Sequence, residues 1–288
     1  MVEIPPDILR LGREMQQCEL CPRRCGVNRQ AGQIGACRIG SQAVVVSAGP
    51  HFGEEPCLVG RGGSGTIFFA ACNLACVYCQ NSDFSQTTEG LPRTPKQIAE
   101  IALGLQGRCC ININFVTPTH VAHAVAEAIV LARASGLTIP TVYNCGGYES
   151  VETLACLKGL IDIYMPDFKW ADELAGRKYS GVAEYPAVAT VALAEMYRQV
   201  GPLRLDTGGE AITGVLVRHL VMPGDLAHSG EAIDIIARAS PGCTVNIMSQ
   251  YRPAYQATRW PELLGRQRVA CIDQLRREAK SKGLRLAR

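Results

Sequence analysis

Residues 66–79 read Thr-Ile-Phe-Phe-Ala-Ala-Cys-Asn-Leu-Ala-Cys-Val-Tyr-Cys, an apolar run followed at once by three cysteines. A run of this kind, rich in β-branched and aromatic residues, is typical of a buried strand. Cys72, Cys76 and Cys79 are therefore expected on the loop that leaves the carboxyl end of that strand. In parallel α/β proteins, sites are built at this end of the strands. The segment thus predicts a parallel sheet with a metal site at the carboxyl ends of its strands.

The spacing of the three cysteines predicts an iron–sulfur cluster. Three thiolates can hold three irons of a four-iron, four-sulfur cube, which leaves one iron without a protein ligand and free to bind a small molecule. The alternative is a structural zinc knuckle, which needs four ligands and would have to borrow a fourth cysteine. The strand before the cysteines, the aromatic Tyr78 and the downstream pattern favour the cluster.

Length and composition limit the possible functions. The 288 residues suit one large α/β domain with a small appendage, and 47% hydrophobic and 19% charged residues fit an ordinary buried core. A net charge of +3 is too small to indicate a nucleic-acid partner. No apolar run reaches the ~20 residues of a membrane span. Fourteen cysteines without an export signal predict a reduced, cytoplasmic protein.

A second group of cysteines precedes the first. Its members, Cys18, Cys21, Cys25 and Cys37, are separated by Gly, Pro and Arg residues, a context too polar for a core cluster. The spacing fits a small zinc site, with Cys57 as a reserve ligand, and it also fits an auxiliary iron–sulfur cluster. Four unliganded surface cysteines are a weaker interpretation, because exposed thiols oxidise readily.

From Gly65 onward, strand-like and helix-like segments alternate. The six predicted strands cover residues 65–71, Ile111–Val116, Ile139–Tyr143, Ile161–Pro166, Val215–Met222 and Thr244–Ser249. Strands that alternate with helices imply a parallel sheet with right-handed crossovers. We therefore predict an α/β fold, a partial (β/α)6 TIM-like barrel, over residues 65–260. A Cys-rich region over residues 1–64 precedes it, and a C-terminal helix over residues 261–288 follows.

One histidine before the barrel has two interpretations. His51 follows the predicted strand Ala43–Ala48 and precedes a glycine-rich loop at residues 60–65. It is either a ligand or acid–base group, or a polar histidine in a turn, which is the commoner case. The glycine loop lacks the Gly-Lys-Ser/Thr ending of a phosphate-binding loop.

Several segments together resemble a known family. The cysteine loop resembles the signature of the radical S-adenosylmethionine superfamily, and Tyr78 is part of that likeness. Further segments look like its pyruvate formate-lyase activating enzyme-like subgroup: residues 18–29, 51–56, 65–69, 79–81, 196–201 and 218–224. The resemblance implies that Cys72, Cys76 and Cys79 bind a [4Fe–4S] cluster. The reduced cluster would pass an electron to S-adenosylmethionine, and the resulting 5'-deoxyadenosyl radical would abstract hydrogen from a substrate.

The resemblance also implies a cofactor-binding set. Thr117, Pro118 and Thr119 stand where the superfamily often binds the cofactor's amino group, although the usual carboxylate is missing. Asp167 and Lys169 resemble an Asp-x-Lys element that reaches the ribose and the carboxylate. Other implied or candidate contacts are Tyr78, Asn144 and Arg218. Cys145 is a candidate catalytic hydrogen donor or substrate ligand, with a small buried residue as the alternative.

The implied activity is that of an oxidoreductase that works anaerobically with a reductant such as flavodoxin or ferredoxin. Its expected substrate is a protein or peptide, and activation of a glycyl radical enzyme is one such reaction. The ferredoxin-type insert of activases is missing between Gln80 and Leu105, where no cysteine occurs. The alternatives are radical modification of a small molecule or protein side chain and, from another class, a non-catalytic metal-binding or redox-sensing protein.

Overall fold

The computed structural model describes residues 2–266 and 269–287 and confirms the predicted α/β partial barrel. The described residues form ten strands: β1 Ala43–His51, β2 Ser64–Phe69, β3 Leu91–Arg93, β4 Ile113–Val116, β5 Thr141–Cys145, β6 Ile163–Pro166, β7 Arg204–Leu205, β8 Ala211–Leu220, β9 Thr244–Met248 and β10 Arg285–Leu286. The six predicted barrel strands are β2, β4, β5, β6, β8 and β9, and they lie side by side in parallel in that order.

The edges of the sheet explain why the barrel is partial. β1 pairs antiparallel with β2 and with β3 at one edge, and β10 adds in parallel to β9 at the other. The strand order runs from β10 to β3 without closing on itself. β7 pairs antiparallel with β8. Because β1 pairs with β2, the chain on both sides of the predicted boundary at residue 64 contributes to one sheet.

Ten helices flank or extend the sheet in the described residues: α1 Pro6–Arg13, α2 Pro56–Val59, α3 Ser82–Ser85, α4 Pro95–Gly107, α5 Ala122–Ala134, α6 Val151–Cys156, α7 Glu173–Ser180, α8 Tyr185–Val200, α9 Ser229–Ala239 and α10 Val269–Ser281. α4 starts with a capping box, in which Thr94 accepts from the Gln97 N–H and Gln97 accepts from the Thr94 N–H. None of the described helices has the length and apolar character needed to cross a membrane.

Several boundaries differ by a few residues from the sequence prediction, among them the start of β8 at Ala211 instead of Val215 and the end of β1 at His51 instead of Ala48. β5 begins at Thr141 rather than Ile139 and continues through Asn144 and Cys145, which were expected in the following turn. The C-terminal helix does not begin at Pro261: residues 261–264 form a 3-10 turn, and α10 starts at Val269. Residues 1, 267, 268 and 288, which the predicted end segments include, lie outside the described residues.

The interior of the barrel is apolar at one end and polar at the other. A buried apolar cluster closes the amino-terminal end: Leu58, Val142, Ile163, Met165, Leu203, Ala211 and Leu216. Side chains alternate across a strand, so Asn144 faces the same interior as Val142 but lies nearer the carboxyl end of β5. The closed floor leaves the polar carboxyl end of the barrel as the place for a site.

Candidate active site

The loop that carries the three predicted cluster ligands follows β2, as expected. Ala71 adopts a left-handed backbone conformation, with φ +69°, and turns the chain sharply out of the strand. The loop is then fixed to the end of α7, because the N–H of Ala75 donates to the Ser180 carbonyl and the N–H of Val77 donates to the Tyr179 carbonyl. A left-handed non-glycine residue is strained, and such strain is concentrated at functional sites.

Each of the three sulfurs has a polar hydrogen beside it. The contacts are the Leu74 N–H at 3.3 Å from Cys72 Sγ, the Ser180 hydroxyl at 3.1 Å from Cys76 Sγ and the Ser85 hydroxyl at 3.0 Å from Cys79 Sγ. Burial raises the pKa of the Cys72 and Cys76 thiols, which therefore keep their protons at neutral pH unless a metal replaces them. The surroundings thus suit sulfurs that carry charge only when they are metal-bound.

Two cavities meet at these sulfurs. A cavity of about 300 Å³ is lined by six of the predicted residues: Cys76, Tyr78, Cys79, Asp167, Lys169 and Arg218. A smaller cavity of about 80 Å³ shares five of these six residues, all but Tyr78, and adds four more predicted ones: Cys72, Thr117, Asn144 and Cys145. The structure therefore brings together every predicted residue of the cysteine loop and of the cofactor set except Pro118 and Thr119.

Tyr78 is held in place by other aromatic rings. Its ring packs edge-on against Trp170, with centroids 5.4 Å apart, and Tyr251 lies 6.4 Å away. Buried Tyr and Trp rings contribute both packing and a polar group that needs a partner. The Trp170 indole N–H donates to the Ser180 hydroxyl at 2.8 Å, and that hydroxyl also contacts Cys76. The aromatic cluster therefore positions the Ser180 hydroxyl beside the Cys76 sulfur.

An ion-pair network lines the same cavities as the cysteines. Asp167 Oδ1 lies 2.9 Å from Arg218 Nε, and Asp167 Oδ2 lies 2.6 Å from Lys169 Nζ. Burial alone would raise the pKa of Asp167, but the charges of Arg218 and Lys169 outweigh it, and the pKa lies below its usual value. Arg218 also donates to the Asn144 amide oxygen at 2.6 Å. One carboxylate thus holds two cations at the cavity wall.

The position of Asp167 depends on a glycine and a tyrosine. Gly147 has φ +79°, and a Cβ there would lie 2.2 Å from the Asp167 carbonyl oxygen, so only glycine allows this approach. The Tyr185 hydroxyl lies 2.8 Å from the carbonyls of Gly146 and Asp167 and accepts the Lys169 N–H at 2.8 Å. These contacts fix the backbone that presents Asp167 and Lys169.

Two acidic residues of the site were not predicted from the sequence. Glu54, with Oε2 3.6 Å from Arg218 Nη1, lines the larger cavity, and Glu55 accepts from the Asn246 amide at 2.9 Å. His51 also lines this cavity, with Nδ1 3.2 Å from Glu54 Oε1. The signal available was the adjacent pair of glutamates after His51, but only the folding of this segment over the barrel brings them to Arg218.

Of the residues predicted at the ends of β4 and β5, some line the smaller cavity and others contact the buried Glu149. Thr117, at φ +60°, lines the smaller cavity. Pro118 is buried beside it but lines neither cavity, and the Thr119 hydroxyl donates to Glu149 Oε1 at 2.7 Å. The Cys145 side chain also bonds to Glu149, so its thiol points away from Asn144. Its predicted role as a hydrogen donor stays a prediction.

Glu149 is a buried acid beside Thr119, Tyr143 and Cys145. Burial raises its pKa to about 8, although hydrogen bonds from Thr119, Tyr143 and Cys145 act in the opposite direction. It lies close enough to Cys21 for its charge to raise the pKa of that thiol, after the larger effect of burial. Glu149 is therefore largely protonated at neutral pH.

The second cysteine group lies away from both cavities. Cys18, Cys21 and Cys37 are buried and Cys25 is half-buried, and none of the four lines either cavity. The predicted reserve ligand Cys57 lies in α2, against the apolar floor inside the barrel. It is therefore not part of this group.

The geometry distinguishes a single ion from a cluster. Within residues 2–266 and 269–287, no three Cys, His, Asp or Glu side chains converge on a point from which all of them could bind one metal ion. In an iron–sulfur cluster, each thiolate binds a different iron, so the ligands need not converge on one point. The polar hydrogens beside the sulfurs of Cys72, Cys76 and Cys79 suit thiolate ligands of such a cluster.

Comparison with known sequences identifies the family. No protein-family model matches the chain. Over 273 residues it is 33% identical to the uncharacterized protein MJ0674 of Methanocaldococcus jannaschii, and the match covers 90% of this chain and 75% of that protein. The chain belongs to the family of MJ0674. The match takes in most of the chain, and no activity comes with that relative's name.

Comparison with solved structures supports the fold. The crystal structure of Streptococcus suis SuiB matches with a TM-score of 0.53 at 12% identity, over 76% of this chain and 47% of SuiB. SuiB bound to the precursor peptide SuiA matches with a TM-score of 0.50 at 12% identity, over 75% and 46% of the two chains. The chain thus spans about half the length of these structures and shares their fold.

Proposed function

We propose that this chain is a radical S-adenosylmethionine enzyme whose [4Fe–4S] cluster is held by Cys72, Cys76 and Cys79. The observation that carries the proposal is that these three cysteines line one cavity together with Asp167, Lys169 and Arg218. The only other cysteine of either cavity wall in the described residues, Cys145, directs its thiol to Glu149. Three ligands would leave one iron open toward the cavity.

The surroundings of the sulfurs support this ligand set. A thiolate that accepts hydrogen bonds is stabilised in its charged form, and such bonds also set the potential of a cluster. When bound, a reduced cluster supplies one electron to S-adenosylmethionine, which breaks a carbon–sulfur bond and starts hydrogen abstraction. Leu74, Ser180 and Ser85 hold the hydrogen-bond donors at the three sulfurs.

The cavity wall also supplies the groups that would bind the methionine and ribose parts of the cofactor. Lys169 and Arg218 are cations suited to a carboxylate, and Asp167 and Asn144 offer oxygens to an amino group or hydroxyls. Since Asp167 already holds both cations, the wall is organised before a ligand arrives. Preorganised polar groups bind at a smaller entropic cost than mobile ones.

For the substrate, we propose a protein or peptide. The rim of the larger cavity contains the exposed residues Gly53, Asn81 and Gln250, so a chain segment too large to be enclosed can reach the sulfurs from outside. The likeness to SuiB, which was crystallised with a precursor peptide, supports this choice. Activation of a glycyl radical enzyme is one reaction of this class.

We also propose a reducing, cytoplasmic and anaerobic setting, with flavodoxin or ferredoxin as the reductant. All fourteen cysteines lie in the described residues, and none of them forms a disulfide. Proteins of oxidising compartments commonly pair their cysteines, whereas thiols persist in the cytosol. An iron–sulfur enzyme that needs a low-potential electron fits such a compartment.

The direct test is anaerobic reconstitution with iron and sulfide, followed by dithionite and S-adenosylmethionine. We expect 5'-deoxyadenosine from the wild-type protein and none above background from Cys76→Ala. Cys271→Ala is the matched control, because Cys271 is exposed on α10, and it should retain the wild-type yield. Bound iron without 5'-deoxyadenosine would instead indicate a non-catalytic metal protein.

The substrate class requires a separate test. Candidate peptides deuterated at the backbone α-carbon should transfer deuterium into 5'-deoxyadenosine, which mass spectrometry detects. Transfer from a small molecule but from no peptide would favour the alternative of small-molecule modification. A glycine-centred radical signal in a co-incubated partner enzyme would single out the activase role.

A further inference from the structure

Arg29 is a buried cation without a carboxylate partner. Its side chain is only 1% exposed, yet it forms no ion pair with any carboxylate of the described residues. Its Nε and Nη2 donate to the Gly40 carbonyl at 3.0 and 2.7 Å, and Nη1 donates to the His120 carbonyl at 2.8 Å. These acceptors are neutral. Burial of an uncompensated guanidinium is unfavourable, and a negative charge nearby would offset that cost.

The nearest candidates for that charge are cysteine sulfurs. Arg29 Nη1 lies 3.7 Å from Cys18 Sγ, and its charge also acts on Cys37. As neutral thiols, these groups would leave the guanidinium uncompensated. As thiolates, they would balance it. A bound metal keeps coordinating thiols ionised, whatever the surrounding polarity.

Backbone N–H groups beside the other sulfurs also favour thiolates. Cys25 Sγ accepts the N–H of Ala36 at 3.3 Å. Two more sulfurs each accept the N–H two residues later in the chain: Cys21 from Arg23, and Cys37 from Ile39. Cys72 has the same arrangement with the N–H of Leu74. Repetition of this pattern indicates that the second group, like the first, is built to hold thiolates.

We propose that Cys18, Cys21, Cys25 and Cys37 hold a second iron–sulfur cluster, and that Arg29 is the buried cation that balances its charge. The cysteines do not converge on one ion, which favours a cluster over the zinc alternative. Four thiolates would occupy every iron of a cube. With no open iron, this cluster would not bind S-adenosylmethionine.

The experiment removes the first cluster to expose the second. A variant with Cys72, Cys76 and Cys79 all changed to Ala is reconstituted anaerobically, and its iron, sulfide and zinc are counted. We expect about four irons and four sulfides per chain, against about eight of each in the wild type, with a [4Fe–4S] Mössbauer signature. Zinc in their place, or no metal, would overturn the proposal. The outcome is independent of any S-adenosylmethionine chemistry.

A second set of variants keeps the test decisive if the triple variant does not fold. Changing Cys21 and Cys25 to Ser in the wild-type background should reduce iron from about eight to about four per chain. The matched pair Cys109→Ser and Cys271→Ser changes two exposed cysteines and should leave iron unchanged. Unchanged iron in the Cys21 and Cys25 variant would refute the assignment.

The proposed role of Arg29 is tested separately, by the rate at which a chelator removes the second cluster. Arg29→Gln removes the charge but keeps hydrogen-bond donors, and we expect it to lose the second cluster to a chelator at least tenfold faster than wild type. Arg29→Lys retains a cation and should lie close to the wild-type rate. Equal rates in both variants would show that Arg29 acts through packing alone and would overturn its proposed role.

Discussion

The molecule contains two groups of cysteines with opposite surroundings. Cys72, Cys76 and Cys79 line a cavity that Asp167 and its two cations also line. The cysteines of residues 18–37 line neither of the two cavities at those sulfurs, and Cys18 lies beside the buried Arg29. The same ligand type can therefore serve two purposes, because the number of thiolates and the space beside them decide whether an iron is open to a small molecule.

The largest expected effect concerns the cation-holding wall of the open site. Asp167→Asn removes the charge shared by Arg218 and Lys169. Loss of one partner of a buried pair costs about 3–5 kcal/mol, and we expect about 3 kcal/mol because Asp167 is 21% exposed. Chemical denaturation measures this change. Asp273→Asn, which removes a surface partner of Arg276, is the control and should change stability by under about 0.5 kcal/mol. Equal losses of stability in the two variants would mean that the ion pairs of Asp167 contribute no more than an exposed ion pair.

Gly147 tests whether the backbone behind the open site is under steric control. Gly147→Ala places a Cβ 2.2 Å from the Asp167 carbonyl oxygen at a positive φ, and we expect a loss of about 2 kcal/mol or more. Gly136→Ala is the matched control, since Gly136 also has positive φ but open space around it, and its loss should be about 1 kcal/mol. A similar loss in both variants would leave only the backbone conformation as the cause.

The buried acid Glu149 should make the stability of the protein depend on pH. The pKa of Glu149 is raised to about 8 in the folded protein, so folding favours the protonated form, and stability decreases as the pH rises toward 8. Burial lowers the pKa of His120 to about 3 and of His123 to about 4, so both are neutral in the folded protein above pH 6.5, and their contribution cancels when proteins that differ only at Glu149 are compared.

Between pH 6.5 and 8, the free energy of unfolding of the wild-type protein should therefore decrease by roughly 1–2 kcal/mol more than that of Glu149→Gln. Denaturant midpoints at several pH values, compared between the two proteins, provide the measurement. Parallel curves for the wild type and Glu149→Gln would contradict the raised pKa.

The smallest expected effect concerns the link between the two groups. Arg23 follows Cys21 and donates to the Asn73 carbonyl at 2.8 Å, next to Cys72, and to the Gly181 carbonyl at 2.9 Å. Arg23→Gln should cost about 1 kcal/mol. Arg24→Gln breaks only a 3.5 Å pair with Glu152, in which both side chains are 63% exposed, and should be nearly neutral. If Arg23→Gln is also neutral, the two groups are not coupled through this contact.

Local patterns allowed much of the fold to be predicted. The apolar run before Cys72 and the alternation of strands and helices correctly predicted the parallel barrel, because both depend on neighbours in sequence. The short edge strands β3 and β10 were not predicted, since two or three residues form a strand only through pairing with a distant partner. β5 began late because Pro140 has no N–H to donate to a neighbouring strand.

The site was predictable only in part, for a similar reason. The resemblance indicated Asp167, Lys169 and Arg218, and the structure places them together. The link from Glu54 to Arg218 spans most of the chain, and no local pattern reveals it. Arg29 stands in a polar segment that looks exposed in the sequence, and only packing against the barrel shows that it is buried.

The central claim is that one iron of the Cys72–Cys79 cluster is open to S-adenosylmethionine. The most direct measurement is electron–nuclear double resonance on the anaerobically reduced protein with the cofactor ¹⁵N-labelled in its methionine amino group. The Cys21→Ser and Cys25→Ser variant, which should hold only this cluster, gives the cleanest spectrum. We predict a nitrogen coupling that requires direct contact with iron. A reduced cluster whose spectrum does not change on addition of the cofactor, and which shows no coupling, would contradict the account.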